Sequence, residues 1–174
     1  MLQLPQGVRL DKGLGGQDRL MIDTPLCQAQ IYLLGACVTD FQPKGSEPVL
    51  WVSPKSAYQP GKAIRGGIPI CWPWFGPKAD DPKAPQHGFV RTRLFTLDAV
   101  TANADGSVTA QLSFRPSDET RALWPHDFEL IYKVTAGATL HAELTTVNPG
   151  AQPLTIHEAL HTYLRVGEVE QAGV

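Results

Sequence analysis

Apolar and polar positions alternate with a period of two over several stretches, as expected for strands that bury one face. Val108, Ala110, Leu112 and Phe114 share one parity, and Asn103 to Ser107 ahead of them carries an Asp-Gly hairpin signal. A strand is therefore expected from Phe89 to Val100, paired with Val108 to Phe114. Phe128 to Thr135 and Thr139 to Asn148 read as two more strands around Ala136-Gly-Ala, with a short helical turn from Asp118 to Trp124 before them. Upstream, Leu26 to Val38 is apolar and broken at Gly35, Thr39 to Pro48 is polar and turn-rich, and Val49 to Val52 is apolar again, a strand, turn, strand unit. From Leu154 to Val166 the positions Leu154, Ile156, Leu160, Leu164 and Val166 keep one parity, which predicts a last, central strand. Strands this closely spaced, with no helical periods between them, predict an all-β, mainly antiparallel sandwich or barrel formed by residues 1–174 as one domain.

Between these patterns lies Ser53 to Gln86, which holds seven prolines and four glycines and can sustain neither helix nor long strand. Irregular stretches of that length in small domains commonly form binding surfaces. The formal charge of −2 gives no basic excess for a phosphate backbone, so no nucleic-acid partner is expected. No apolar run approaches the ~20 residues that cross a bilayer, and the N-terminal residues resemble no secretory signal, so the cytosol and no membrane partner are expected. Cys27, Cys37 and Cys71 are odd in number and lack CxxC spacing, which suits buried free thiols. The end, Val166 to Val174, has no clear cap, so a truncated domain with an exposed sheet edge is expected.

His157-Glu158-Ala159-Leu160-His161 spells H-E-x-x-H, a zinc motif when helical. Its flanks carry the period of a strand, however. On a strand the two imidazoles stand about 13 Å apart and Glu158 faces the other way, so no metal site is expected there.

Three segments carry the most specific signal: Arg65 to Pro77 (RGGIPICWPWFGP), His87 to Arg91 (HGFVR) and Leu160 to Val166 (LHTYLRV). Together they resemble the hexose-6-phosphate mutarotases, or glucose-6-phosphate 1-epimerases, a branch of the aldose 1-epimerase superfamily. The resemblance implies a galactose mutarotase-like β-supersandwich, here probed only over its N-terminal three-fifths, and interconversion of the α and β anomers of a hexose 6-phosphate without a cofactor. It also implies that His161 protonates the ring oxygen and that His87 orients the sugar. Arg65 and Arg91 offer forked donors suited to a phosphate, with Gly66-Gly67 allowing close backbone approach to a ligand. The family's glutamate base belongs to a C-terminal part, and Glu158, Glu168 and Glu170 are not candidates for it, so weak catalysis is expected of this chain.

Plainer readings remain for each residue. His161 and His87 could be ordinary strand and loop histidines, the arginines solvated charges, and Tyr163 either pocket wall or core. Trp72, Trp74 and Phe75 are expected to pack the loop onto the sheet rather than to meet a sugar, and His126 and His141 to be structural. A non-catalytic sugar-phosphate or carbohydrate-binding module is the alternative function. A complete domain is expected to be a monomer, with self-association open to an exposed edge.

Overall fold

The computed structural model describes residues 2–173; Met1 and Val174, the ends of the 1–174 domain reading, lie outside the described residues. Two four-stranded antiparallel meanders make up most of the molecule. The first runs β1 (Val8–Lys12), β2 (Asp18–Asp23), β3 (Cys27–Tyr32) and β4 (Cys37–Pro43), each paired with its sequence neighbour. The second runs β6 (Thr96–Ala102), β7 (Val108–Phe114), β8 (Glu129–Ala136) and β9 (Leu140–Val147) in the same fashion. Between them, β5 (Ile70–Cys71) pairs with β10 (Ala159–Leu160). The helix α1 (Asp118–Leu123) is a single short element closed at its start by a capping box between Ser117 and Thr120.

Alternation decides which faces meet. Leu20, Ile22, Ala29, Ile31 and Val38 of the first sheet and Ala110, Leu112, Leu130, Tyr132 and Val134 of the second are buried in one continuous core. Each such leucine or isoleucine contributes roughly 1.5–3 kcal/mol by leaving water. The all-β antiparallel sandwich is thus the observed fold. At the far edge of the second sheet the same alternation is weaker: Leu140, Ala142 and Leu144 of β9 are only half buried.

Several expected elements shift. The strand expected from Phe89 starts only at Thr96, because Val90–Thr92 form a 3-10 turn in which the Thr92 hydroxyl and amide donate to the Phe89 carbonyl. Thr39–Pro43, expected as turn, is the second half of β4, so the turn of the polar stretch narrows to Lys44–Ser46, closed by the Ser46 amide on the Pro43 carbonyl, while the expected break at Gly35 is a turn in which Gly35 and Ala36 both have positive φ. Val49–Val52 makes only single bridges, Leu50 to Leu164 and Val52 to Gly66. The strand expected over Leu154–Val166 is paired as a ladder only at Ala159–Leu160. Beyond that it stays extended, with the Tyr163 amide bonded to the Gly67 carbonyl and the Arg165 amide to the Val49 carbonyl, and it is not central: Leu164 is 60% and Val166 48% exposed.

Candidate active site

The Pro- and Gly-rich stretch forms the working surface because it is pinned at both ends of its middle section. Trp72 is fully buried, its ring edge-on to Phe89 and Trp124, and its indole N–H donates to the Thr146 hydroxyl at 3.1 Å. Trp74 is also buried, its indole N–H bonded to the Pro85 carbonyl. Both tryptophans pack the stretch onto the sheet, as the composition suggests. Phe75 does not: it is 49% exposed and lies 4.8 Å from the ring of His87 and 6.2 Å from that of His161.

His87 sits in the left-handed region, φ 62°, in front of Gly88, φ 71°. Its amide donates to the Gly76 carbonyl at 2.7 Å, and its Nδ1 accepts from the Gly76 amide at 3.1 Å. Nδ1 is therefore a lone pair, and in the neutral ring the proton sits on Nε2. Partial burial, then the positive charge of Arg91, then His161, hold its pKa below the usual histidine value.

His161 follows β10 directly, its amide bonded to the Pro69 carbonyl at 3.0 Å. Its ring stacks on Tyr163 with centroids 4.9 Å apart and lies edge-on to His87 at 6.0 Å. Tyr163, left open between wall and core, is a wall residue. With Arg65, Arg91 and His161 it lines a cavity of about 500 Å³, a size suited to a small ligand. His87 does not line that cavity, but it adjoins it through His161.

Arg91 is half buried on the 3-10 turn, where one terminal nitrogen donates to the Gln86 carbonyl at 2.8 Å and Nε is buried without a partner. Arg65 is exposed, and only its backbone is tied down, by the Ser56 hydroxyl and the Ser53 amide. The glycines after Arg65 serve a different purpose from the one expected. A Cβ at Gly66 would stand 2.5 Å from the Trp51 carbonyl oxygen, and one at Gly67 2.1 Å from that of Val38, so the close approach is to neighbouring backbone and not to the cavity.

Lys55 and Lys62 also line the cavity, and the sequence reading passed over them. Only their position before and after Tyr58, in the irregular stretch, could have suggested them. The walls hold four cationic side chains and, among the described residues, no carboxylate.

The zinc arrangement fails on geometry. The His157 amide bonds the Pro73 carbonyl and the His161 amide the Pro69 carbonyl, so the H-E-x-x-H segment is extended rather than helical. The two side chains enter different cavities, His157 beside Trp74 and Trp124, and His161 beside the arginines. Glu158 accepts from the Thr146 hydroxyl at 3.5 Å, away from His161. No group of three or more metal-ligating side chains occurs among the described residues. His126 packs against Trp124 with the rings tilted and centroids 4.4 Å apart, and His141 projects outward from β9.

The family profile for aldose 1-epimerase matches residues 18–174: the chain belongs to that family. Among its relatives is a protein from Escherichia coli (strain K12) named "Putative glucose-6-phosphate 1-epimerase", 40% identical over 157 residues that make up 90% of this chain and 51% of the relative. The crystal structure of a "putative mutarotase" from Salmonella typhimurium superposes with a TM-score of 0.86 at 36% identity, covering 96% of this chain and 54% of that one. A galactose mutarotase-like protein from Clostridium acetobutylicum shares the fold, with a TM-score of 0.63 at 14% identity over 81% of this chain and 48% of that one. The chain thus spans about half the length of the curated relatives it matches.

Proposed function

We propose that the cavity binds a hexose 6-phosphate and that His161 and His87 serve the interconversion of its α and β anomers. The observation that carries the reading is one wall shared by His161, Arg65 and Arg91, with the His87 ring 6.0 Å from that of His161. The two guanidinium groups face a dianionic phosphate, for which their fixed N–H forks are suited. Ring opening needs only proton transfer. Water takes the proton of the C1 hydroxyl, the C1=O bond forms as the C1–O5 bond breaks with its electron pair going to O5, and protonated His161 donates to O5. Rotation about C1–C2 and the reverse steps close the other anomer and return the proton to His161. His87, with its Nε2–H free to donate, holds a sugar oxygen in place. The name of the Escherichia coli relative agrees with this substrate class.

The alternative to be separated from this is a site that binds sugar phosphate without turning it over; among the described residues no carboxylate lines the cavity. Anomer exchange of glucose 6-phosphate, followed by NMR line broadening, separates the two. Exchange that falls in His161→Ala supports the catalytic reading. Binding in calorimetry without any such difference supports the second, and no binding at all rejects both. The described residues contain no helix long and apolar enough to cross a membrane. Residues 1–174 act as one unit on this reading, in the cytosol, where phosphorylated hexoses and free thiols persist.

A further inference from the structure

Two arginines suffice to neutralise one phosphate dianion, yet the cavity wall carries two cations more, Lys55 and Lys62. Some surface lysines sit beside carboxylates, Lys12 2.8 Å from Asp18 and Lys78 3.4 Å from Asp80, while Lys44, Lys83 and Lys133 stand apart from any, so it is the clustering of the cavity's cations and not their lack of partners that sets them apart. Among the described residues neither Lys55 nor Lys62 has such a partner, and neither do Arg65 and Arg91. Four uncompensated cations around one concavity raise its potential, because low-dielectric walls focus the field.

The lysines are also presented from a fixed frame. They flank Tyr58, which is buried, packs on Tyr32 with ring centroids 4.9 Å apart, and adopts φ 41°. Gly15 lies against the Tyr58 carbonyl, where a Cβ would come within 1.9 Å of the oxygen. Ile64 is buried two residues after Lys62, the Lys55 amide bonds the Ser53 hydroxyl, and the Lys62 amide bonds the Gln59 carbonyl. The backbone of both lysines that line the cavity here is therefore set.

We propose that Lys55 and Lys62 are specificity-determining residues of this cavity, setting its preference for a doubly charged phosphorylated sugar over the neutral sugar. This rests on the sugar-phosphate reading above. Their share is electrostatic: attraction at the mouth speeds association and adds to affinity, and both effects weaken with salt.

The test titrates the whole chain, the double variant Lys55→Met with Lys62→Met, and Arg91→Ala with glucose 6-phosphate and with glucose, at low and high salt. Both lysines are exposed, so equal unfolding curves are expected for the double variant and the parent. The double variant is expected to bind glucose 6-phosphate roughly three- to thirtyfold more weakly at low salt, with a shallower salt dependence and unchanged affinity for glucose. Glucose 6-phosphate affinity and salt dependence equal to the parent's, alongside a weakened Arg91→Ala, overturn the role of the lysines and leave the sugar-phosphate site standing. Failure of the parent chain to bind glucose 6-phosphate overturns that site and the lysine proposal with it.

Discussion

Replacing Gly88 by alanine tests whether the backbone contact beneath His87 demands glycine. A Cβ at Gly88 would stand 1.7 Å from the Trp72 carbonyl oxygen, 2.2 Å from its carbon and 2.9 Å from the Pro73 nitrogen. These are backbone atoms at a fully buried tryptophan, so no side-chain rotation can make room. The Phe89 amide also donates to that same Trp72 oxygen, at 3.1 Å, and separation of the two segments would lengthen that bond. Left-handed backbone costs an alanine about 1–2 kcal/mol, and forcing atoms into a close-packed interior about 1–3 kcal/mol more. Gly88→Ala is therefore expected to lower stability by roughly 2–5 kcal/mol. Gly76→Ala is the matched control: its φ is 75°, but nothing lies within 4 Å of the added carbon, so about 1–2 kcal/mol is expected. Urea unfolding of both variants, with unchanged m, measures the difference. Equal losses in the two would refute the steric account and leave backbone conformation as the whole reason for glycine at 88.

Two further outcomes follow from the environments of titrating groups. His87 is held below its ordinary pKa of 6.5 by burial, Arg91 and His161, so as pH falls the unfolded chain takes up this proton first. Its contribution is fully present above pH 6.5 and is lost as pH drops through the lower folded value. His87→Asn, a residue that tolerates positive φ, should flatten that part of the curve of thermal midpoint against pH; an unchanged curve would show that His87 is not the group responsible. Burial pushes Cys37 up to about 12 and also raises Cys27 and Cys71, so a thiol reagent at pH 8 should label none of the three until the protein unfolds, and prompt labelling of the native chain would contradict the burial.

Strands with one wet face were legible in the sequence because local alternation and turn chemistry both specify them. Val108–Phe114 is a strand from end to end, and the Asn103–Ser107 hairpin is closed by the Asn103 carbonyl and Gly106 amide. Where partners come from far away, the pattern misled. Leu164 and Val166 keep the parity of a buried strand but face solvent, because that segment meets Val49–Trp51 only through a single bridge at Leu50 and the bonds from Trp51 to Tyr163 and from Arg165 to Val49, which no sequence pattern announces. The histidines and arginines stood out through short motifs. Lys55 and Lys62 carry no motif, and their place on the cavity wall depends on how Tyr58 folds back onto Tyr32. Gly66-Gly67 is a close-approach signal in the sequence, but the same signal serves a ligand and the chain's own backbone alike, and here it serves the backbone of Trp51 and Val38.

The narrow pairing that carries His161 has a consequence for the order of assembly. Each meander joins strands that are neighbours along the chain, so their closing loops are short and form early. His161 must find Pro69 across about ninety intervening residues, and a two-residue ladder flanked by a few single bonds rewards the search. Both sheets can thus be complete while the cavity is still unformed, and ligand binding reports on the final step of folding rather than on the bulk of it.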